Sequence, residues 1–137
     1  MQNKTEPTRK LLYEKESYDI RGCIYDIYKE FRNYHKEIVY HNSLIEELIS
    51  RGYKIEKEKR IDVYHRDKKV GTYVPDIIVN DIIIIELKCK PNITMQDRKQ
   101  FWTYLKGSKY KLGFLVNFGN PNGVEIERKI FTQKSSV

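Results

Sequence analysis

Four consecutive isoleucines, Ile82 to Ile85, run directly into Glu86-Leu87-Lys88, and this stretch constrains the fold more than any other. Its first positions are apolar at both odd and even places, which is typical of a strand buried on both faces of a sheet. We therefore predict a central strand over 82–88. Burying a carboxylate without a partner is unfavourable, so Glu86 at the end of this strand needs an explanation beyond packing.

Two helices are predicted on the N-terminal side of this strand from apolar spacing near the helical period. One covers 17–31, with Ser17 as its N-cap. The other covers 37–52 and ends at Gly52, because glycine takes the left-handed conformation most easily. Its predicted apolar face consists of Ile38, Ile45, Leu48 and Ile49.

Further strands are predicted at 53–59, 60–66, 70–79, 111–118 and 124–131. A third helix is predicted over 94–107, with Thr94 as its cap and Gly107 as its stop. This helix provides the crossover that a parallel neighbour of strand 82–88 requires. The order of elements predicts an α+β sandwich, with one domain over 1–137, a central mixed sheet, helices on its faces and a flexible tail at 1–10.

Composition argues against several classes of protein. No run approaches the ~20 apolar residues of a membrane-spanning helix, and the first ten residues lack the apolar segment of a secretory signal. Cys23 and Cys89 alone do not make a disulfide framework or hold an iron–sulfur cluster, which favours the reducing cytoplasm. The net charge of +7 favours a polyanionic partner, although it also serves solubility.

The charged residues around the central strand indicate metal chemistry. Pro75-Asp76 is followed, after nine intervening residues, by Glu86-Leu87-Lys88. Two carboxylates suit a hard divalent cation, and the carbonyl of Leu87 would complete its shell. Lys88 would orient a water and favour its hydroxide form. We therefore predict phosphodiester cleavage with Mg²⁺ or Mn²⁺, in which Asp76, Glu86 and Lys88 are catalytic and Asp76, Glu86 and Leu87 bind the metal. Such spacing also arises by chance, but a surface ion pair poorly explains charges that end an apolar strand.

The predicted third helix adds a second signal. Gln100 and Tyr104 are four residues apart, so both side chains lie on one face of the helix. An amide and a phenol suit contacts to phosphate or to metal-bound water, and we predict both as catalytic residues. Trp102, by contrast, is interpreted as core.

Together these motifs resemble a known family. Asp76, Glu86-Leu87-Lys88 and Gln100-x-x-x-Tyr104 are similar to the motifs of the PD-(D/E)XK nuclease superfamily, in its RecB-like branch. More narrowly, the chain resembles the small bacterial and archaeal GxxExxY proteins from Gly22 to about Phe118, chiefly in RGCIYDIYKEF, PDIIVNDIIIIELK and QFWTYLKGSKYKLGFLVNFG. The resemblance implies a restriction-endonuclease-like α-β-β-β-α-β core and a divalent-metal nuclease site.

One departure from that family concerns the link between the first two helices. The naming motif falls on 34–40, where Glu37 and Tyr40 match but Tyr34 replaces the glycine. Tyrosine does not readily take positive φ, so we expect a different shape for this link. The resemblance implies that Glu37 is an accessory acid at the metal site. A glutamate at a helix start is equally explained by the helix dipole.

Four basic residues predict a phosphate-binding track beside the site. They are Arg98, Lys106, Lys109 and Lys111, on or after the third helix. Phosphate contacts of this kind dominate the affinity of proteins for nucleic acids. A solvated helix face explains the same residues at least as well.

Histidine and cysteine give weaker signals. His35, His41 and His65 are scattered in the sequence, and oxygen ligands suit the expected metal better than imidazole does. Cys89 follows Lys88 in the strand, so it should point to the opposite face and belong to the core.

The leading functional hypothesis is a metal-dependent nuclease that acts on nucleic acid, with DNA expected, and the sequence leaves monomer and homodimer open. One alternative is a catalytically silent nucleic-acid-binding module on the same fold. Another is a protein-interaction or regulatory domain whose basic surface meets a protein partner. A binding role alone places no demand on Asp76, Glu86 and Lys88, which favours the nuclease.

A shared metal also makes a geometric demand. Asp76 and Glu86 must lie on one face of the sheet, and a regular two-residue turn at 80–81 would put them on opposite faces. We therefore predict a three-residue turn or a β-bulge between Val79 and Ile83.

Overall fold

The computed structural model describes residues 12–132 and contains three helices and seven strands within that range. The helices are α1 (Glu14–Phe31), α2 (Glu37–Ser50) and α3 (Met95–Gly107). The strands are β1 (Ile55–Glu56), β2 (Ile61–His65), β3 (Lys68–Tyr73), β4 (Ile77–Val79), β5 (Ile83–Lys88), β6 (Leu112–Asn117) and β7 (Glu125–Ile130). The tail predicted at 1–10 lies outside the described residues.

Five strands form one mixed sheet in the order β1-β4-β5-β6-β7. β5 lies at its centre, antiparallel to β4 and parallel to β6. α3 provides the crossover between the two parallel strands, as predicted. The arrangement confirms the mixed α+β fold and is consistent with a restriction-endonuclease-like core.

The central strand is buried on both faces because its side chains alternate between two hydrophobic clusters. Ile83, Ile85 and Leu87 pack in the cluster that includes α1 and α2. Ile84 packs in the cluster that includes α3 and the β2–β3 hairpin. Glu86 follows Ile84 at the strand period, so it lies on the α3 side of the sheet.

The prediction of one continuous strand over 70–79 is wrong. The structure divides it into β3, which pairs with β2 in a separate two-stranded sheet, and β4, which joins the central sheet. Val74 and Pro75 lie between the two strands, and proline has no N–H to donate to a sheet ladder. The chain therefore passes from the hairpin to the central sheet over residues 74–76, and Asp76 immediately precedes β4.

The N-cap predicted for the first helix is also wrong. α1 begins at Glu14, three residues earlier, and Ser17 is buried inside it at 4% exposure. Glu14 and Glu16 lie in the first turn, where carboxylates interact favourably with the helix dipole. This interaction supports a start without a side-chain cap.

The buried face of α2 differs from the predicted one. Tyr40, Leu44 and Leu48 are fully buried, whereas Ile38 and Ile49 are 57% and 50% exposed. The buried residues repeat every four positions and form a single stripe towards α1 and the sheet. Apolar character alone did not distinguish this stripe from the neighbouring one.

The other helix ends follow local sequence signals. Thr94 caps α3 as predicted: its side chain accepts a hydrogen bond from the N–H of Asp97, whose carboxylate accepts one from the N–H of Thr94. Gly52 follows α2 with a φ of 92°. Gly107 remains the last residue of α3, and Ser108 is the C-cap. No helix among residues 12–132 is long and apolar enough to span a membrane.

Candidate active site

The turn between β4 and β5 determines which side chains share a face of the sheet. Val79 pairs with Ile83, so the turn consists of residues 80–82. Asn80 and Asp81 have φ values of 50° and 56°, in the left-handed region that asparagine and aspartate enter more readily than most residues. The predicted three-residue turn is confirmed.

Asp76 lies beside the end of β5 that carries Glu86. The register of β4 and β5, continued by one residue, puts Asp76 opposite Glu86, and directly opposed residues share a face. Oδ2 of Asp76 accepts a 2.7 Å hydrogen bond from the main-chain N–H of Leu87. The main-chain oxygen of Asp76 lies 3.3 Å from Nε2 of His41. A contact from β5 thus holds the side chain of Asp76, and a contact from α2 holds its main-chain oxygen.

A pair of tyrosines positions Glu86. The hydroxyl of Tyr73 donates a 2.8 Å hydrogen bond to Oε1 of Glu86. The ring of Tyr73 stacks on that of Tyr104, with centroids 4.3 Å apart. Sequence reasoning included Tyr104 but missed Tyr73, whose place three residues before Asp76 was the available signal. That signal gives proximity in the chain but does not identify the contact.

The environment of Glu86 disfavours its charged form. Burial raises its pKa to about 7, and repulsion from the Asp76 carboxylate contributes, although the hydrogen bond from Tyr73 and the charge of Lys88 oppose the rise. Glu86 therefore holds a proton more strongly than an ordinary glutamate does. A cation bound beside it would favour its charged form.

A cavity of about 320 Å³ opens beside Glu86. It is bounded by β3, β5, β6 and α3, and it brings Glu86 together with Lys88, Gln100 and Tyr104. Lys88 forms no ion pair with any carboxylate in the described part of the chain. Its positive charge is therefore available to an anion that enters the cavity.

A second cavity of about 410 Å³ shares Val74 with the first and is lined by Asp76, Glu37 and His41. Burial raises the pKa of Glu37, and repulsion from Asp76 adds to the rise. Glu37 therefore lies near Asp76, where an accessory acid is expected, and it also starts α2, so both interpretations agree with its position. His41 was set aside by sequence reasoning. Its spacing of four residues from Glu37 was the signal that could have found it.

The link between α1 and α2 is held by Tyr40, which matches the tyrosine of the GxxExxY naming motif. Its hydroxyl donates a 2.5 Å hydrogen bond to the main-chain oxygen of Arg32 and accepts one of 3.1 Å from the N–H of His35. Arg32 takes the positive φ of this link, 53°, whereas Tyr34 is 80% exposed and does not. The tyrosine in place of glycine therefore imposes no backbone strain.

The donor atoms at the site fit a hard divalent cation. Asp76 and Glu86 supply carboxylate oxygens, and Leu87, whose side chain is buried on the other face, supplies a main-chain carbonyl. Residues 12–132 contain no group of three or more His, Cys, Asp or Glu side chains arranged as a metal centre. Mg²⁺ is commonly bound by one or two carboxylates and keeps several waters, which matches this set.

The four predicted phosphate contacts do not come together beside the cavity. Nε of Arg98 lies 2.6 Å from Oε2 of Glu127, and Lys106 is exposed in the last turn of α3. Lys109 and Lys111 precede β6, and Lys109 pairs with an acid of the β4–β5 turn. The parallel register of β5 and β6 places these two lysines at the end of the sheet remote from Glu86.

Two residues that the sequence assigned to packing are partly buried. Cys89 packs against the cluster on the α1–α2 side, as expected from alternation. Trp102 contacts the cluster on the α3 side, and Nζ of Lys129 lies 4.0 Å from the centre of its ring.

Comparisons with known proteins agree with this arrangement. A family model of the PD-(D/E)XK nuclease superfamily matches residues 14–129, a range that contains every site residue discussed above. No curated protein and no solved structure gives a significant match. Since the family model covers most of the chain, including both carboxylates and the lysine of the site, this protein belongs to the PD-(D/E)XK nuclease superfamily.

Proposed function

We propose that this protein is a divalent-metal-dependent nuclease that hydrolyses phosphodiester bonds in DNA. The observation that carries the proposal is the β4–β5 register, which, continued by one residue, opposes Asp76 and Glu86, while Lys88 lines the cavity of Glu86 and forms no ion pair with a described carboxylate. Superfamily membership supports nuclease chemistry. The net charge of +7 supports a polyanionic substrate.

Within the superfamily, we assign the chain to the RecB-like branch and to the GxxExxY proteins. Gln100 and Tyr104 support the first assignment, because both line the cavity that contains Glu86. Glu37 and Tyr40 support the second, since they match the naming motif and lie close to Asp76 and to the α1–α2 link. We place its action in the cytoplasm, as the cysteine content predicts.

The carboxylates of Asp76 and Glu86 and the carbonyl of Leu87 would hold Mg²⁺ or Mn²⁺. Such a cation stabilises negative charge on a scissile phosphate and lowers the pKa of a bound water. The hydroxyl of Tyr73 donates to Oε1 of Glu86, and a main-chain hydrogen bond from Asp76 also acts on this carboxylate. Asp76 in turn uses Oδ2 to accept the N–H of Leu87. Both carboxylates keep lone pairs for a ligand, since the two oxygens of a carboxylate together offer about four acceptor positions.

The remaining side chains bind and orient the substrate. The ammonium group of Lys88 favours a hydroxide over a neutral water and attracts the phosphate. Gln100 presents an amide from α3 to the same cavity. Tyr104 supports the ring of Tyr73 and thereby the position of Glu86. Glu37 acts as an accessory acid on the Asp76 side.

The direct test is incubation of supercoiled and linear DNA with Mg²⁺ or Mn²⁺, in parallel with Asp76→Ala. We expect cleavage by the wild type only when the cation is present, and none by the variant. Equal cleavage by both proteins would contradict the assigned site. Salt-dependent DNA retention without cleavage would support a silent binding module instead.

A further inference from the structure

The hairpin of β2 and β3 ends in a segment, residues 64–71, that we call the arm. All eight of its residues are exposed. A strand packed on a core alternates between buried and exposed residues, and the other end of the hairpin is packed, since the paired residues Ile61 and Tyr73 are each 8% exposed. The arm therefore projects from the body of the protein with both faces in solvent.

Basic residues predominate on the arm. It carries Arg66, Lys68 and Lys69 but only one acid, Asp67. Nζ of Lys69 lies 3.2 Å from an acid of β2. Arg66 and Lys68 form no ion pair with any residue in the 12–132 range. Two unpaired cations on a projecting segment suit an external polyanion.

The arm has the geometry of a preformed β-ribbon. Arg66 and Asp67 form its turn with φ values of 51° and 68°, and such two-residue turns match the twist of the paired strands. His65 pairs with Lys68, and a register shift follows Val63. A two-stranded ribbon fits into the major groove of B-DNA, so the shape as well as the charge of the arm suits a duplex.

β3 connects the arm directly to the candidate active site. Its last residue, Tyr73, donates the hydrogen bond to Glu86, and Thr72 lines the same cavity. At 3.4 Å per residue, Lys68 lies about 17 Å along the strand from Tyr73. Phosphates along one DNA strand are about 3.4 Å apart on the helix axis. With β3 aligned along the duplex axis, the arm would reach a phosphate about five nucleotides from one at the cavity.

We propose that the arm is a DNA-binding element in which Arg66 and Lys68 contact the phosphate backbone of the substrate about five nucleotides from the scissile bond. The distance rests on the proposed nuclease function, because that function locates the scissile bond beside Glu86. The contact between the arm and DNA does not depend on cleavage.

Binding is tested without cleavage, by fluorescence anisotropy of a labelled 30-base-pair duplex in EDTA over a range of salt concentrations. The arm variant is Arg66→Ala with Lys68→Ala. The matched control is Lys29→Ala with Lys54→Ala, which removes the same charge from exposed residues on α1 and next to the β4–β5 turn. Circular dichroism should show that both variants fold as the wild type does, since all four side chains are exposed.

We expect the arm variant to bind at least about threefold more weakly and to lose close to two units of the salt slope, since each phosphate contact contributes about 0.9. The control should keep the wild-type slope. If the arm variant retains both the affinity and the slope of the wild type, the arm does not contact DNA and the proposal is wrong.

Cleavage of duplexes of increasing length separates this proposal from the proposed function. The wild type should cleave faster once the duplex extends more than about five base pairs past the cut, and the arm variant should lose that gain. A wild type that binds through the arm but cleaves no DNA would contradict the nuclease and leave the arm contact standing. Equal binding and cleavage by both proteins at every length would contradict the arm alone.

Discussion

β5 has a carboxylate near each end, Asp81 before it and Glu86 within it, and the fold treats the two in opposite ways. Asp81 accepts a 2.7 Å hydrogen bond from the hydroxyl of Tyr110 and lies 3.4 Å and 3.2 Å from Nζ of Lys59 and Lys109. The hydrogen bond from Tyr110 lowers the pKa of Asp81 to about 2, and both lysines contribute. The charge of Asp81 is thus compensated within the protein.

Glu86 also accepts a hydrogen bond from a tyrosine, Tyr73, but it has no ion pair with a described residue. Burial and the nearby Asp76 raise its pKa to about 7. Each carboxylate thus accepts a hydrogen bond from a tyrosine, but of the two only Asp81 also forms ion pairs with described lysines that compensate its charge. A compensated carboxylate stabilises the fold, whereas one that the fold leaves uncompensated is suited to an external cation.

The largest expected effect is on DNA cleavage, which should depend on Glu86 but not on Asp81. Glu86→Ala should lower single-turnover cleavage of DNA in Mg²⁺ by about 10³-fold or more, the scale on which preorganised electrostatic groups act. Asp76→Ala and Lys88→Ala should behave alike, and calorimetric titration should show that the two acid variants no longer bind metal. Asp81→Ala, the matched control, should leave cleavage unchanged. Cleavage by Glu86→Ala at the wild-type rate would show that the site is wrong.

The next effect concerns stability and pH in the absence of metal. The folded pKa of Glu86, about 7, lies above its ordinary value of 4.5, so the folded state binds more protons than the unfolded state between these values. Stability should therefore fall as pH rises from about 4.5 to 7, by up to roughly 3 kcal/mol. Urea unfolding in EDTA should show that Glu86→Gln removes this fall. Parallel curves for the two proteins would contradict the raised pKa.

Asp81 should show the opposite dependence on pH. Its folded pKa, about 2, lies below the ordinary 3.8, so its contribution is complete above about pH 4 and is lost as pH falls towards 2. Asp81→Asn should destabilise the protein at pH 7 by about 1 kcal/mol, a value reduced by the 42% exposure of its side chain. Urea unfolding at pH 7 and at pH 2 to 4 measures both. If Asp81→Asn lost the same stability at all pH values, the lowered pKa of Asp81 would not be the source of its stabilising effect.

The next comparison concerns the tyrosines that donate to the two carboxylates, Tyr73 and Tyr110. Tyr73→Phe should lower cleavage about 10- to 100-fold, as expected for a residue that orients a metal ligand. Because the hydrogen bond from Tyr73 lowers the pKa of Glu86, its loss should also move metal binding to higher pH. Tyr110→Phe should instead cost about 1 kcal/mol of stability and leave cleavage unchanged. Calorimetric metal titrations at several pH values, together with cleavage assays, measure these effects. Identical behaviour of the two variants would contradict the different roles assigned to Tyr73 and Tyr110.

The smallest expected effect is that of the amide on α3. Gln100→Ala should lower the cleavage rate about tenfold, the value of one hydrogen bond, and should change DNA affinity less than about twofold, since a single neutral group is a small part of an electrostatic footprint. Gln96→Ala is the matched control, because Gln96 lies one turn earlier on the same face of α3 and does not line the cavity that contains Glu86. A larger effect on affinity than on rate would make Gln100 a binding residue only.

Local signals in the sequence were sufficient for much of the fold. The two-faced isoleucine run predicted the central strand, and Thr94 predicted the start of α3. Such signals did not identify the contact of Tyr73 with Glu86 or that of His41 with Asp76, because these contacts join residues that are 13 and 35 positions apart. The break at Pro75, which separates the hairpin from the central sheet, was missed because strand propensity continues on both sides of it.

The sequence by itself determined the central strand and its alternation of faces, and the demand of a shared metal then predicted the three-residue turn that brings Asp76 and Glu86 to one face. It did not determine how their environment differs from that of Asp81. Desolvation and charge compensation come from residues brought in by other elements, such as Tyr110 and Lys59 at one end of β5 and Tyr73 at the other. Only the tertiary structure therefore decided that Asp81 is compensated within the fold and that Glu86, which the sequence had already assigned to the metal, has no ion pair with a described residue.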